Sequence, residues 1–444
     1  MGEDGEDGAW RADRRGSLLV LGLVAPLGGL GAGLIGALFR LALDEADRLR
    51  GALIGWAQGS GFGGFVLVVA AVAAGASVAA WMVRRFAPPA SGSGIPQVEA
   101  VLNGEMKPSP PRLIAVKFAG GALAIGSGLA LGREGPSVQM GASIAYQAGK
   151  LFRRNWADCR VLLAAGAGAG LATAFNAPIS GAVFVLEELV KRFEARIAIA
   201  ALGASAAAIW VSREVLGNAP DFSVGTLVHA SFLEGPLFVV LGLGAGLLGM
   251  LYNGTLMGAL ATADRFGGVP VELRAAMVGG AVGALAWFAP GLVGGGDPLT
   301  ARALAGVGAI AVLPLLFVLR LGLGAVSYSA GTPGGLFAPL LVLGAEMGLW
   351  FGKVAALALP GFAVQPEGFA VVGMAALFTG IVRAPLTGIV LVTEMTANVT
   401  MLLPMIAACS VAMLVPTVLG NEPIYDRLRA RLFVHRQRAA AEDG

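Results

Sequence analysis

Residues 176–187 read NAPISGAVFVLE, and residues 383–394 read RAPLTGIVLVTE. The two stretches have six identities and two conservative pairs, and both run from an Ala-Pro step through apolar residues to a glutamate. A match of this kind within one chain is typical of internal duplication. We therefore interpret the chain as two related halves.

Two further matches occur at nearly the same separation. Residues 92–96 (GSGIP) correspond to residues 294–298 (GGGDP) at a shift of 202, and Pro136 corresponds to Pro339 at a shift of 203. The connection at residues 218–234 has no Lys or Arg, which predicts an extracytoplasmic position. Each half then crosses the membrane an odd number of times. We therefore predict inverted repeats over about residues 17–216 and 235–425, as in many transporters.

The composition is typical of a membrane protein. Hydrophobic residues make up 56% of the chain and charged residues 13%, and the mean hydropathy is +0.77. Apolar runs of about spanning length cover residues 17–39, 62–81, 197–211, 235–252 and 402–419. Other runs are shorter or interrupted by Gly and Pro, which indicates broken and re-entrant helices buried within protein. We predict an all-α polytopic membrane protein of tilted, broken helices, with a loop of mixed charge at residues 40–50.

The charged residues indicate topology rather than nucleic-acid binding. The net charge is +3, but the arginines cluster at the ends of apolar runs instead of forming a basic surface with interleaved aromatic residues. Basic clusters flank the apolar region on both sides and should stay in the cytoplasm. They comprise Arg11, Arg14 and Arg15 before it, and Arg427, Arg429, Arg431, Arg436 and Arg438 after it. We predict cytoplasmic segments at residues 1–16 and 426–444 around a transmembrane domain at residues 17–425.

The residues that metal sites and hydrolases need are scarce. Cys159 and Cys409 have no CxxC partner, so we expect neither a disulfide nor a metal site, and no cofactor. The only histidines, His229 and His435, lie in the polar connection and the basic tail, which argues against an intramembrane enzyme. A membrane scaffold without transport activity would leave buried carboxylates unexplained.

Three glycine and proline clusters occur where short helices should begin, at residues 92–96, 132–136 and 335–339. The free N–H groups and positive dipole end of a helix start form an anion site, and glycine lets the anion approach the backbone. Ser93 would add a hydroxyl donor. The alternative is that the clusters are kinks whose amides bond neighbouring carbonyls.

Glu134 lies inside the second cluster, which reads GREGP. Its carboxylate could occupy the amide-lined pocket that an anion would use, and protonation would release it. Proton binding and anion binding would then be linked. The alternative is a salt bridge between Glu134 and Arg133.

Glu187 and Glu188 end an apolar segment and are followed by Lys191 and Arg192, which predicts a position near the cytoplasmic face. One of the two could collect protons and pass them toward Glu134. The alternative is a helix end at the interface, paired with the basic residues that follow.

Three further residues have roles that depend on their surroundings. Glu99 and Lys117 lie within or beside apolar stretches, so they either form a buried ion pair or adjust the potential around the anion. By position alone, Tyr425 would be an aromatic residue at the membrane interface.

These motifs, GSGIP at 92–96, GREGP at 132–136, GGLFAP at 334–339 and the Tyr425 segment, resemble the CLC family of chloride channels and proton-coupled chloride transporters. The resemblance covers about residues 17–431. It implies a CLC-type inverted-repeat fold and a homodimer with one pore in each subunit. It also implies that Ser93 and Tyr425 offer hydroxyls to chloride, Leu336 and Phe337 offer amides, and Glu134 is the gating glutamate. With the helix-start argument, the expected chloride-binding residues are Gly92, Ser93, Gly94, Gly132, Arg133, Gly135, Leu336, Phe337 and Tyr425.

Glu188 is similar to the internal proton glutamate of the exchangers in this family, whereas channels usually have an apolar residue there. We therefore expect a chloride/proton antiporter, a secondary active transporter in the lipid bilayer of a bacterial inner membrane. The alternatives are a passive chloride channel gated by voltage or pH, and an antiporter for fluoride or nitrate. Ser93 in GSGIP resembles the chloride-selective branch.

Overall fold

The structure is a computed structural model that describes residues 3–361 and 364–442. Side chains are described at residues 21–231, 233–361 and 364–434. Parts of both predicted cytoplasmic segments therefore lie outside the described residues. The side chains of Arg11, Arg14, Arg15, His435, Arg436 and Arg438 are among them.

The described residues form seventeen α-helices and contain no β-strand. In chain order the helices are α1 Glu3–Gln58, α2 Gly61–Phe86, α3 Ile95–Leu102, α4 Arg112–Gly126, α5 Glu134–Leu151, α6 Trp156–Phe175, α7 Pro178–Phe184, α8 Ala195–Leu216, α9 Gly235–Arg265, α10 Val271–Phe288, α11 Asp297–Leu304, α12 Leu313–Ser329, α13 Phe337–Ala358, α14 Pro366–Val382, α15 Pro385–Thr396, α16 Leu402–Val418 and α17 Ile424–Glu442. A π-helical turn at Val185–Leu189 extends α7.

The helices differ widely in length, as expected for a membrane protein with broken spans. Within the described residues, seven helices are long and apolar enough to cross a bilayer, and four more are apolar but only 10–17 residues long. The prediction of a loop at residues 40–50 is wrong, because these residues continue α1. Within this part of α1, Arg50 contacts Asp47 at 2.6 Å and the carbonyl of Gly126 at 2.7 Å.

The inverted repeat is visible in matching helix starts. Helices α3 and α11 are each preceded by two glycines with positive φ, Gly92 and Gly94 in the first half and Gly294 and Gly296 in the second. The φ angles agree within about 10°, at 66° and 89° against 76° and 99°. Such angles favour glycine at these positions. Helices α5 and α13 also begin at matching positions, Glu134 and Phe337, which are separated by the same shift of 203.

The two halves meet at a pair of equivalent glycines. Gly132 N donates to Gly335 O at 2.9 Å, and Gly335 N donates to Gly132 O at 2.7 Å. Because the two residues correspond in the repeat, the approximate twofold axis passes through this reciprocal contact. The starts of α5 and α13 are thereby brought together at the centre of the molecule.

A second reciprocal contact joins α7 and α15. Glu187 accepts hydrogen bonds from the backbone N–H groups of Leu386 and Thr387 at 2.9 and 2.7 Å. Its counterpart Glu394 accepts from Ile179 N and Ser180 N at 3.0 and 2.8 Å. Each glutamate therefore satisfies amides at the first turn of the opposite helix, where no intrahelical partner exists.

We expect Glu187→Ala or Glu394→Ala to lower the free energy of unfolding by about 1–3 kcal/mol, because each leaves two helix-start amides without their charged acceptor. Denaturant titration in detergent checks the size of the loss. Glu214→Ala, at an exposed position near the end of α8, is the matched control. Equal stability of all three variants would contradict a capping role.

Candidate functional site

The centre of the molecule holds a carboxylate bound to a helix start. Glu134, the first residue of α5, is fully buried, and its Oε1 accepts a hydrogen bond from Phe337 N at 2.6 Å. Phe337 is the first residue of α13, so its N–H has no partner within the helix. The carboxylate thus occupies a place where the dipole of α13 favours negative charge. Because Glu134 faces Phe337, the alternative of a salt bridge with Arg133 is wrong.

The glycines at residues 132 and 335 make room for this carboxylate. A Cβ atom built at either position would overlap the carboxylate oxygens of Glu134. A Cβ on Gly135 would lie 2.5 Å from the carbonyl oxygen and 2.7 Å from the hydroxyl of Ser93. These close approaches bring the loop before α3 against the starts of α5 and α13.

Several buried polar atoms around this point have no hydrogen-bond partner within the described residues. They are Ser93 Oγ, Glu134 Oε2, the hydroxyl of Tyr252 and the hydroxyl of Tyr425. All four side chains are 0–2% exposed. Buried groups without partners cost free energy, so donors of this kind indicate a polar ligand. The ring of Tyr425 lies 6.0 Å from that of Phe337.

Tyr425 is fully buried, so the interpretation from position alone, as an interface aromatic, is wrong. Two further tyrosines near the site were missed by sequence analysis. Tyr328 accepts a hydrogen bond from Ser93 N at 3.2 Å through its hydroxyl, which leaves its own O–H free to donate. Tyr252 interacts electrostatically with Tyr328 and Glu134. A tyrosine inside an apolar helix is the only sequence signal for either, and it does not indicate what the hydroxyl faces.

At Gly92 and Gly132 the expectation that the backbone amide binds chloride is wrong. Gly92 N donates to Thr332 O at 3.0 Å, and Gly132 N donates to Gly335 O. Both are used in pairing between the halves, so neither amide is available to an anion. At these two positions the alternative of amides bonded to neighbouring carbonyls is correct. Gly94 immediately precedes α3 and has a positive φ, and it lies closely against the side chain of Gln139.

The guanidinium of Arg133 is held by protein groups instead of an anion. It donates to Ala174 O at 2.8 Å and pairs with Asp221 at 3.0 Å and with Asp297 at 3.4 Å. Asp221 also pairs with Arg40 at 2.8 Å. The Arg133 guanidinium is therefore not free to bind chloride. Asp221 lies in the connection between the halves, where sequence analysis did not single it out.

Lys117 and Glu99 do not form a pair. Lys117 is fully buried and donates to Ala90 O at 3.0 Å and to Gly92 O at 2.7 Å. Glu99 is held by Lys191 and Arg429, each at 3.3 Å. The ion-pair alternative is thus wrong. Lys117 instead holds the loop that carries Ser93, with its charge next to that loop.

The structure separates the roles of Glu187 and Glu188. Glu187 is used as a cap on α15, whereas Glu188 is 3% exposed and its Oε1 has no partner within the described residues. The π-helical turn at Val185–Leu189 directs the two adjacent carboxylates to different neighbours. Turns of this kind are frequent at functional sites. Glu188 interacts electrostatically with Lys191, Glu99 and Asp426.

Three phenylalanine rings pack around Phe337, whose backbone amide binds Glu134. Phe184, one turn before Glu188, packs edge-on against Phe337 at 5.8 Å. Phe175 stacks on the same ring at 6.3 Å, and Phe378 meets it at 4.7 Å. These rings bring α6, α7 and α14 against the start of α13.

Comparison with known proteins agrees with this arrangement. The family described as voltage gated chloride channel matches residues 74–417, which is more than half of the chain. A relative described as the H(+)/Cl(-) exchange transporter ClcA of Citrobacter koseri is 39% identical over 424 residues, covering 93% of this chain and 89% of that protein.

Solved structures of CLC-type antiporters are also similar to this chain. A slow cyanobacterial Cl-/H+ antiporter superposes with a TM-score of 0.89 at 31% identity, covering 93% of this chain and 98% of that one. A CLC-type fluoride/proton antiporter, at 23% identity and a TM-score of 0.78, shares the fold; 92% of this chain and 97% of that one are covered. From the family match, the identity to its relatives and the shared fold, this chain belongs to the voltage-gated chloride channel (CLC) family of membrane transport proteins.

Proposed function

We propose that this chain is a chloride/proton antiporter, a secondary active transporter in which chloride and the Glu134 carboxylate alternate at one site. The observation that carries the proposal is the hydrogen bond from Phe337 N to Glu134 Oε1 at 2.6 Å. A negative group held at a helix start marks a place where another anion can bind. When Glu134 takes up a proton it loses its charge, and chloride can replace it.

The proposed chloride ligands are donors that have no partner in the described residues other than the Glu134 carboxylate, which chloride would replace. They are the hydroxyls of Ser93 and Tyr425 and the amides at the start of α13, at Leu336 and Phe337. Gly94 and Gly135 shape the loops around the ion. Neutral donors bind an anion in a dehydrated site without holding it so tightly that transport stalls.

The proposed proton pathway joins Glu188 and Glu134. Glu188 is buried, has an oxygen without a partner, and lies near the exposed charges of Lys191 and Asp426. A carboxylate in such a position exchanges protons with the adjacent aqueous face. A passive channel would have no use for it, so Glu188 favours antiport.

Chloride is the proposed substrate in preference to fluoride or nitrate. The more similar relatives are described as Cl-/H+ exchangers, whereas the fluoride antiporter is only 23% identical.

The proposed location is a bacterial inner membrane. Both termini would be cytoplasmic by the positive-inside tendency, with the transmembrane domain at residues 17–425.

A homodimer is proposed from the reciprocal caps at α7 and α15. The first-turn side chains next to them, Ile179 and Leu386, are 54% and 60% exposed, and the carboxylates of Glu187 and Glu394 are only half-buried. Charged groups are costly against lipid. A second copy of the chain covering this face would remove them from the hydrocarbon.

Glu134→Gln and Glu188→Gln should each abolish chloride-driven proton movement, because each replaces a proton acceptor with a neutral amide. We expect Glu134→Gln to keep chloride flux. The measurement is proton uptake and chloride efflux in proteoliposomes under a chloride gradient.

Glu187→Gln is the matched control for Glu188→Gln, since the neighbouring carboxylate serves as a cap. It should retain coupled proton movement even where stability falls. Proton pumping that survives Glu188→Gln, or is lost equally in Glu187→Gln, would refute the proposed pathway.

Ser93→Ala and Tyr425→Phe should each weaken chloride binding by about tenfold to a hundredfold, as expected for removing one hydrogen bond to a charged group. Isothermal titration of the purified protein with chloride measures the affinity. Ser410→Ala, whose hydroxyl is exposed and bonds its own helix, is the control. An unchanged affinity in both site variants would remove these hydroxyls from the proposal.

Leu386→Trp should shift the protein from dimer to monomer, because it adds bulk at the proposed contact. Leu357→Trp, on an exposed part of α13 outside that face, should leave the dimer intact. Single-molecule photobleaching in bilayers reads one or two steps per particle. One step for the unchanged protein would exclude the dimer.

A further inference from the structure

The loop at residues 91–93 is tied to the segment that follows α12. Ser91 Oγ donates to Gly331 O at 3.1 Å, and Gly92 N donates to Thr332 O at 3.0 Å. These bonds join parts of the chain that lie some 240 residues apart. The last turn of α12 is therefore held beside the loop that carries one of the proposed chloride ligands.

Tyr328, in that last turn, covers the backbone amide of Ser93. Its hydroxyl oxygen accepts a hydrogen bond from Ser93 N at 3.2 Å. A Cβ atom built at Gly92 would lie 3.0 Å from the same oxygen, so the tyrosine also lies close against the backbone before Ser93. Tyr328 is 8% exposed. An N–H group next to the proposed ligand hydroxyl of Ser93 is thus occupied by a neutral oxygen.

A cavity of about 570 Å³ reaches Tyr328 from the side that the proposed topology assigns to the cytoplasm. The charged residues that line it are Arg84, Asp264, Arg274 and Arg431. Glu272 lies outside the lining and pairs with Arg84. Positive charge is still in excess, and a cavity with such an excess raises the local concentration of anions.

The cavity ends at the tyrosine. Among the described residues, its lining includes Tyr328 but neither Ser93 nor Tyr425. Tyr328 interacts electrostatically with Arg431, which lines the cavity, and with Glu134 at the centre of the molecule. The tyrosine therefore lies between the cavity and the proposed chloride site.

A different cavity approaches the site at Glu134. It has a volume of about 100 Å³ and is lined by Gly132 and Arg133, the residues directly before Glu134. Among the described residues, the two cavities share no lining residue. Each approach thus ends where a protein oxygen occupies a backbone N–H group. The oxygen is charged where Glu134 binds Phe337 N, and neutral where Tyr328 binds Ser93 N.

We propose that Tyr328 is the gate between the chloride site and the cavity of about 570 Å³, and that it opens without binding a proton. The proposal rests on the proposed function, in particular on chloride binding at Ser93. A hydrogen bond of 3.2 Å between neutral groups is at the long end of the normal range and contributes little net free energy, so it breaks readily. The cavity provides space for the displaced ring.

The two sides of the site then differ in what opens them. Glu134 must take up a proton, because its charge is held by the start of α13. Tyr328 must only lose one neutral hydrogen bond. Proton coupling is therefore confined to the side of Glu134, whereas Tyr328 sets how fast chloride passes between the site and the cavity.

The test measures exchange of tracer chloride at equal chloride concentrations in proteoliposomes that contain the full-length Glu134→Gln protein. This background has no proton step at Glu134, so anion entry and exit limit the rate. Adding Tyr328→Phe keeps the ring and removes the hydroxyl. We expect exchange to rise by about twofold to tenfold, as for the loss of one neutral hydrogen bond from the closed state.

Tyr146→Phe is the matched control, because Tyr146 packs against Trp156 at 6.4 Å and lines neither cavity. It should leave the exchange rate unchanged. A hydroxyl with only a structural role would give an equal or lower rate in Tyr328→Phe, and either result overturns the proposal.

Chloride affinity distinguishes a gate from a ligand. A gate changes the rates of entry and exit together, so isothermal titration should give Tyr328→Phe the same chloride affinity as the Glu134→Gln background. A weaker affinity would make the hydroxyl a chloride ligand and overturn the gate.

A second variant tests the proposal if Tyr328→Phe does not fold. Tyr328→Trp adds bulk where the cavity ends and should slow the exchange. Unchanged or faster exchange in this variant also overturns the proposal.

Failure of the proposed function has a different result. If the Glu134→Gln protein neither binds nor exchanges chloride, the proposed chloride site itself is wrong. If it does both and Tyr328→Phe exchanges at the same rate, the chloride site stands and only the role given to Tyr328 is wrong.

Discussion

The structure depends on satisfying backbone N–H groups at helix starts that lie inside an apolar protein. A helix that begins in mid-membrane has no water to complete its first turn. Here the need is met in three ways: by pairing of the two halves at Gly132 and Gly335, by the crossed glutamate caps, and by the carboxylate of Glu134 on Phe337. The third is the only one in which a soluble ion could replace the protein group.

The duplication explains why these solutions occur in pairs, and the differences between the halves explain function. Glu187 and Glu394 occupy equivalent positions, and each accepts hydrogen bonds from the first turn of a helix in the other half. Glu134 and Phe337 correspond in the repeat, at a shift of 203, yet one brings a charge and the other an amide. The proposed transport site lies between unlike partners on an otherwise symmetric framework.

Sequence analysis predicted the fold class, the repeat and the helix starts, because glycine, proline and apolar runs act locally. It could not decide which amides at those starts remain free. Gly92 and Gly132 were expected to bind an anion, but they bond carbonyls that lie some 200 or more residues away in the chain. It also missed Asp221, which neutralises Arg133 from a polar connection. Contacts between distant segments have no signature in composition or spacing, and the same limit applied to Lys117 and Glu99.

The reciprocal contact of Gly132 with Gly335 limits how the protein can move. Many carriers with inverted repeats alternate access by rocking one half against the other around a central substrate. Here the halves are joined by backbone hydrogen bonds between Gly132 and Gly335, directly beside the proposed ion site. A rocking motion would have to break them in an apolar environment, at a cost for each unpaired group. Opening and closing of this site is therefore expected to use side-chain displacements at an immobile centre.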